Sequence, residues 1–136
     1  MSLKRPTWIP VVTALIRKGR KVLVGQRPLG HSLAGQWEFP GGKIERGELP
    51  EVALARELRE ELTIEADIGM LKFASTHFFG DTGIMILFYD VHFWKGELKA
   101  VHHMDLRWIE PSELKTLPIP EANKKILDRI TTLLES

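Results

Sequence analysis

A chain of 136 residues, 43% hydrophobic and 27% charged, has the composition of a soluble globular protein and the length for one domain with a real core. Nineteen basic against eighteen acidic residues leave a net charge of +1, which argues against the broad basic footprint of a general nucleic-acid binder. The absence of cysteine excludes disulfides, thiolate zinc sites and cysteine nucleophiles together. No apolar run approaches membrane-spanning length, and Met1 to Pro6 lacks the apolar core of a signal peptide, so a cytoplasmic protein without a membrane partner is expected.

Taken in order, Trp8 to Ile16 is apolar and rich in Val, Ile and Thr, as a buried strand is. Lys18-Gly19-Arg20 reads as a turn and Lys21 to Arg27 as the returning strand of a hairpin. A loop from Pro28 to Gly35 leads into Trp37 to Pro40, a short strand that delivers the chain to Gly41. Pro50 suits the first turn of a helix, whereas Leu49 before it is a poor cap. After that helix, Ile64 to about Phe78 reads as a strand, Gly80 to Gly83 as a turn and Ile84 to Trp94 as a strongly apolar strand. A last strand is expected at Leu106 to Ile109 with Trp108 inward, then a short helix opened by Pro111. Pro118-Ile119-Pro120 breaks the chain before an amphipathic helix from Glu121 to Leu134, striped by Ile126, Ile130 and Leu133. Strands around a central and a terminal helix predict an α/β fold, a three-layer α/β/α sandwich with a mixed β-sheet.

The chemistry concentrates between Gly41 and Ile64. Residues three and four apart share a helix face, so Glu60 and Glu61 both lie beside Glu57. Three crowded carboxylates repel one another, at about 0.2–0.5 kcal/mol per like-charged pair on an exposed helix. The arrangement makes physical sense against a divalent cation, because hard oxygen ligands are what Mg2+ or Mn2+ takes. Leu54, Ala55, Leu58 and Leu62 form an adjoining apolar face for the core. Gly41 and Gly42 allow close backbone approach, and Glu48 stands just ahead of the helix.

With these spacings the stretch resembles the Nudix box. Gly42, Glu48, Arg56, Glu57, Leu58, Glu60, Glu61 and Ile64 fit its pattern, and Thr63 departs from it where the family has glycine. A β-branched residue is poor in a left-handed helix cap, so Thr63 bears on the helix exit rather than on the carboxylates. The resemblance implies the Nudix α/β/α sandwich over 1–136 and a Mg2+-dependent hydrolase of nucleoside diphosphates linked to another moiety. It implies metal ligation by Glu57, Glu60 and Glu61, with Glu48 in the same patch and the Gly41 carbonyl as a further ligand. Glu57 is the implied base, and Arg56 the residue that orients a carboxylate such as Glu48 through its planar fork.

The likeness continues outside the box. Ala34 to Glu48 is similar to MutT-like enzymes, which cleave 8-oxo-dGTP to the monophosphate and pyrophosphate. On that resemblance Arg27 and Asn123 match nucleotide-contacting positions, and Phe39 is a candidate to stack on a base. An Asn amide offers a donor and an acceptor for a purine edge. MutT-like enzymes often carry Glu six residues before the strand tryptophan; here that position is His102, followed by His103, and imidazole can still bind metal or accept a proton. The same region resembles an RNA 5′-triphosphate pyrophosphohydrolase, an alternative substrate class. A non-catalytic nucleotide-binding module is the alternative of another kind, against which all four box carboxylates speak. Family members of this length often dimerise, and Ile84 to Phe93 is the strand expected to offer an edge.

Overall fold

The computed structural model describes residues 5–136. Strand β1 (Thr7–Lys18) turns through Gly19 into β2 (Lys21–Gln26), followed by β3 (Trp37–Glu38) and β4 (Gly41–Lys43). Helix α1 (Pro50–Leu62) leads to β5 (Glu65–Asp67), β6 (Leu71–Phe79), β7 (Thr82–Val91), β8 (Phe93–Lys95) and β9 (Leu106–Ile109). A 3-10 turn at Pro111–Thr116, α2 (Glu121–Lys124) and α3 (Leu127–Glu135) complete the chain.

The main sheet runs β3-β2-β1-β7-β6, with β4 also on β1 and β9 also on β2. It is mixed because β1 and β7 pair in parallel, from Thr7 with Thr82 to Ile16 with Val91, while the other pairings are antiparallel. Alternation along the strands sends side chains to opposite faces. On one face Leu15, Val22, Val24 and Phe88 pack with Ile126, Ile130 and Leu134 of the terminal helical region. On the other, Val12, Ala14, Ile16 and Leu23 pack with Ala53, Leu54, Leu58 and Leu62 of α1. The result is the three-layer α/β/α sandwich anticipated from the sequence.

Several expectations are corrected. The strand foreseen at Ile64 to Phe78 is two strands, because β5 leaves the main sheet to form an antiparallel ribbon with β8. Gly69 makes the break, donating its N–H to Asp90 O at 2.8 Å, where an added Cβ would meet that same oxygen at 2.6 Å. The apolar strand at Ile84 to Trp94 likewise ends at Val91 and resumes at Phe93. Its β7 part offers no edge, since β7 is enclosed between β1 and β6. Ala53 rather than Ala55 joins the buried face of α1. The terminal helix is divided at Lys125-Ile126, so that α3 buries Leu127, Ile130 and Leu134 while α2 stands apart. Trp108 is half-buried and stacked on Trp94, with ring centroids 6.0 Å apart.

Candidate active site

Helix α1 starts without a side-chain cap on Leu49; Pro50 is preset for the first turn, and Ala53 N–H reaches Leu49 O at 2.9 Å. At its other end Thr63 adopts the left-handed conformation, φ 59°, that the box glycine would accept more easily. Its N–H still closes the helix on Arg59 O at 3.1 Å, and its hydroxyl donates to Glu97 O at 2.9 Å. The last carbonyls are not orphaned: Lys99 N–H donates to Leu62 O and Val101 N–H to Glu61 O. That pairing draws the segment after Gly96 along the end of α1 and delivers His102 and His103 there.

Arg56 organises the carboxylates. Its Nε and Nη2 grip Glu48 at 2.7 and 2.9 Å, and Nη1 reaches Glu57 at 3.0 Å and Glu60 at 3.3 Å. Glu45 stands 3.6 Å away. Hydrogen bonding from Arg56, with a second bond from Glu45 N–H, holds the Glu48 carboxyl down to about 2. Glu57 is shifted the other way: burial raises its pKa despite Arg56. Glu60 is the exposed member of the set, its side chain 60% accessible.

Glu61 lies apart from that fork. It is only 9% exposed and accepts a 3.2 Å hydrogen bond from Gly41 N–H. Burial, then repulsion from Glu57 and from Glu38, pushes its carboxyl up to about 8. The glycines explain the tight assembly. A Cβ on Gly41 would strike Val12 O, and one on Gly42 would come within 2.5 Å of Glu57 Cδ. Both are pinned through β4, Gly41 opposite Thr13 and Gly42 opposite Val12.

Gly41 and Gly42 also line a cleft of about 310 Å³, together with Arg27, Leu33, Glu38, Phe39, Ile86 and Asn123. The three residues expected at a nucleotide thus meet in one place. Arg27 is held by Glu38 Oε1 and by Ser32 O, each at 2.7 Å. Phe39 is 5% exposed and packs edge-on to Phe88 in the core, so it closes the cleft's inner wall. Asn123 is half-buried, and its amide side chain makes no hydrogen bond among the described residues.

The model of the NUDIX domain matches residues 11–129. The chain belongs to the NUDIX family. A CTP pyrophosphohydrolase of Escherichia coli is 39% identical over 130 residues, covering 92% of this chain and 93% of its own. A putative 8-oxo-dGTP diphosphatase 2 of Mycobacterium tuberculosis is 38% identical over 125 residues, covering 90% and 89%. Among solved structures, that of the E. coli ORF135 protein superposes with a TM-score of 0.86 at 37% identity, covering 94% of this chain and 91% of that one. The protein is accordingly a Nudix hydrolase acting on phosphoric anhydride bonds.

Around this Nudix site Glu38 and Gly25 had gone unmarked, and His103 had been noted only as the neighbour of His102. Glu38 lies between the inward Trp37 and Phe39, so strand alternation alone turns it to the opposite face, toward Arg27. Burial raises its pKa, but His103 and Arg27 outweigh that and hold it below the ordinary carboxylate value. His103 is fully shielded, stacked edge-on to His102 at 5.0 Å, while His102 is exposed. Burial, then His103, lowers the pKa of His102. Gly25 makes room for His103, since a Cβ there would stand 2.5 Å from the ring. No helix among the described residues is long and apolar enough to cross a membrane.

Proposed function

We propose that the protein is a divalent-cation-dependent nucleoside triphosphate pyrophosphohydrolase, yielding a nucleoside monophosphate and pyrophosphate. The observation that carries this is the Gly41-Gly42 backbone, which lines the cleft and at the same time lies against the Glu57 and Glu61 carboxylates. The donor set fits Mg2+ or Mn2+: one guanidinium faces four carboxylates, and burial, with added repulsion from neighbouring carboxylates, raises the pKa of both Glu57 and Glu61. Glu48, Glu57, Glu60 and Glu61, with the Gly41 carbonyl, are the ligands in this reading. A bound cation supplies positive charge beside the anhydride oxygens and makes water easier to deprotonate.

The residues of the chain do the rest. Arg56 fixes Glu48 and Glu57 in one orientation. With Glu57 Oε1 tied to Arg56, Oε2 is left to take a proton from the attacking water. The water oxygen bonds to one phosphorus of the α–β bridge as that phosphorus loses its bond to the bridging oxygen, and the two halves separate as nucleoside monophosphate and pyrophosphate. Arg27 and the free Asn123 amide read the base above Phe39. An oxidised purine such as 8-oxo-dGTP is the first reading. CTP is the second, favoured by the printed activity of the E. coli relative.

A substrate panel with Mg2+ tests this: 8-oxo-dGTP, dGTP, CTP, dCTP and a short 5′-triphosphate RNA, with pyrophosphate release measured for each. Pyrophosphate from a mononucleotide, lost in Glu60→Gln, is expected. Tight nucleotide binding without turnover would instead make this a nucleotide-binding module, and efficient action on RNA alone would move the substrate to RNA 5′ ends.

A further inference from the structure

Beside the carboxylate patch lies a group of donors of which the proposed hydrolysis uses only Glu61. Glu61, His102 and His103 each offer a ligand atom, and these atoms lie within 4.8 Å of one another. His103 points to a missing partner. Its side chain is fully shielded, yet neither Nδ1 nor Nε2 has a hydrogen-bond partner among the described residues. Glu38 Oε2 stands 3.7 Å from Nε2, beyond hydrogen-bond length. Buried polar groups in folded proteins are almost always satisfied, so two idle ring nitrogens call for a ligand.

The backbone keeps the pair in place. Gly25 opens the space that the ring fills, Val101 N–H is bonded to Glu61 O at 3.1 Å, and Met104 N–H to Gln26 O at 2.9 Å. Both ends of the His102-His103 segment are therefore fastened, one to α1 and one to β2. We propose that Glu61, His102 and His103 form a binding site for a late first-row divalent cation of the Zn2+ and Co2+ class. This extends the metal patch at its inner end and rests on the reading of Glu61 as a metal ligand. Imidazole nitrogen favours these cations, whereas Mg2+ prefers oxygen and water. Two imidazoles and one carboxylate also make the three-ligand set that leaves a fourth position open on zinc. A cation there neutralises Glu61 and ties the end of α1 to the segment carrying the histidines, so binding also stabilises the fold.

The test is a Co2+ titration of the metal-free protein, followed by visible absorption and thermal melting, with Zn2+ and Mg2+ as competitors. One equivalent of Co2+ is expected to give d–d bands of a nitrogen-containing site and a higher Tm; Zn2+ should abolish the bands while keeping the Tm raised, and Mg2+ should leave the bands in place. His103→Asn should weaken Co2+ binding by roughly tenfold or more. The exposed His102→Asn should do the same, and it covers the case in which the buried substitution unfolds the chain. Glu57→Gln should leave the bands in place. Unchanged Co2+ affinity in His102→Asn, or bands lost in Glu57→Gln but kept in both histidine variants, would place the cation on the box carboxylates alone and overturn the proposal. Mg2+-dependent pyrophosphate release, followed in parallel, reports on the proposed function separately.

Discussion

Replacing Gly42 with alanine isolates the seat of the Glu57 carboxylate. The new Cβ would stand 2.5 Å from Glu57 Cδ and 2.6 Å from Oε1. Non-bonded carbons settle at about 3.5 Å or more, so the carboxyl group must retreat by roughly 1 Å. That retreat strains or breaks the 3.0 Å contact of Oε1 with Arg56. Gly42 is not among the residues with positive φ, so alanine suits its backbone, and the group displaced is the end of a flexible side chain. Stability should therefore change by no more than about 0.5–1 kcal/mol. Misplacing a reacting group by about 1 Å costs about a hundredfold in rate, which is about 2.7 kcal/mol of activation free energy. Pyrophosphate release at saturating metal, together with a thermal melt, reads both quantities. The expected outcome is kcat down about a hundredfold with Tm nearly unmoved. Activity within a few-fold of wild type would refute the placement of Glu57, and a collapse in Tm would refute the claim that only this side chain is displaced.

Arg56→Lys removes the two-pronged grip on Glu48 and cannot hold Glu57 as well; kcat should fall roughly tenfold to a hundredfold at little cost in KM, and steady-state kinetics decide. Gly25→Ala drives a methyl group into the His103 ring, and overpacking of this kind costs about 1–3 kcal/mol, visible as a lower urea midpoint. Glu61 gives a pH signature. Its carboxyl titrates near 8 in the folded chain against 4.5 unfolded, so the folded state keeps a proton that the unfolded chain releases. Its contribution to stability is complete below about 4.5 and is lost as pH rises toward 8. In EDTA, the Tm difference between wild type and Glu61→Gln should shift against wild type across that window, and parallel profiles would contradict the burial argument.

What the sequence disclosed was local. The spacing of Glu48, Arg56, Glu57 and Glu60 is set by one turn and one helix, and the Arg56 guanidinium joins the three carboxylates. Arg27, Phe39, Gly41 and Asn123 also meet at one cleft, although nothing in their spacing shows how the sheet brings them together. Glu61 was legible in principle: it stands three residues after Leu58 and seven after Leu54, on the stripe that packs against the sheet. Its neighbourhood to Glu57 hid that burial. The surroundings of His103 were beyond reach, because they depend on the end of α1, β2 and the segment after Gly96 converging, which no local pattern encodes. The split of the strand at Gly69 had a weak cue in the glycine, but the ribbon between β5 and β8 needs residues far along the chain.

The two walls of the cleft differ in how they are anchored. Gly41 and Gly42 are ladder residues on β1, which is itself paired in parallel with β7 through its length, so the hydrolytic side moves only if the middle of the sheet moves. The facing wall is drawn from Leu33 in the connection between β2 and β3 and from the bend around Pro120 and Asn123. Connections of that kind accept replacement far more readily than sheet interiors do. On the proposed reading of the cleft, the choice of base is free to drift in evolution while the carboxylate side stays put.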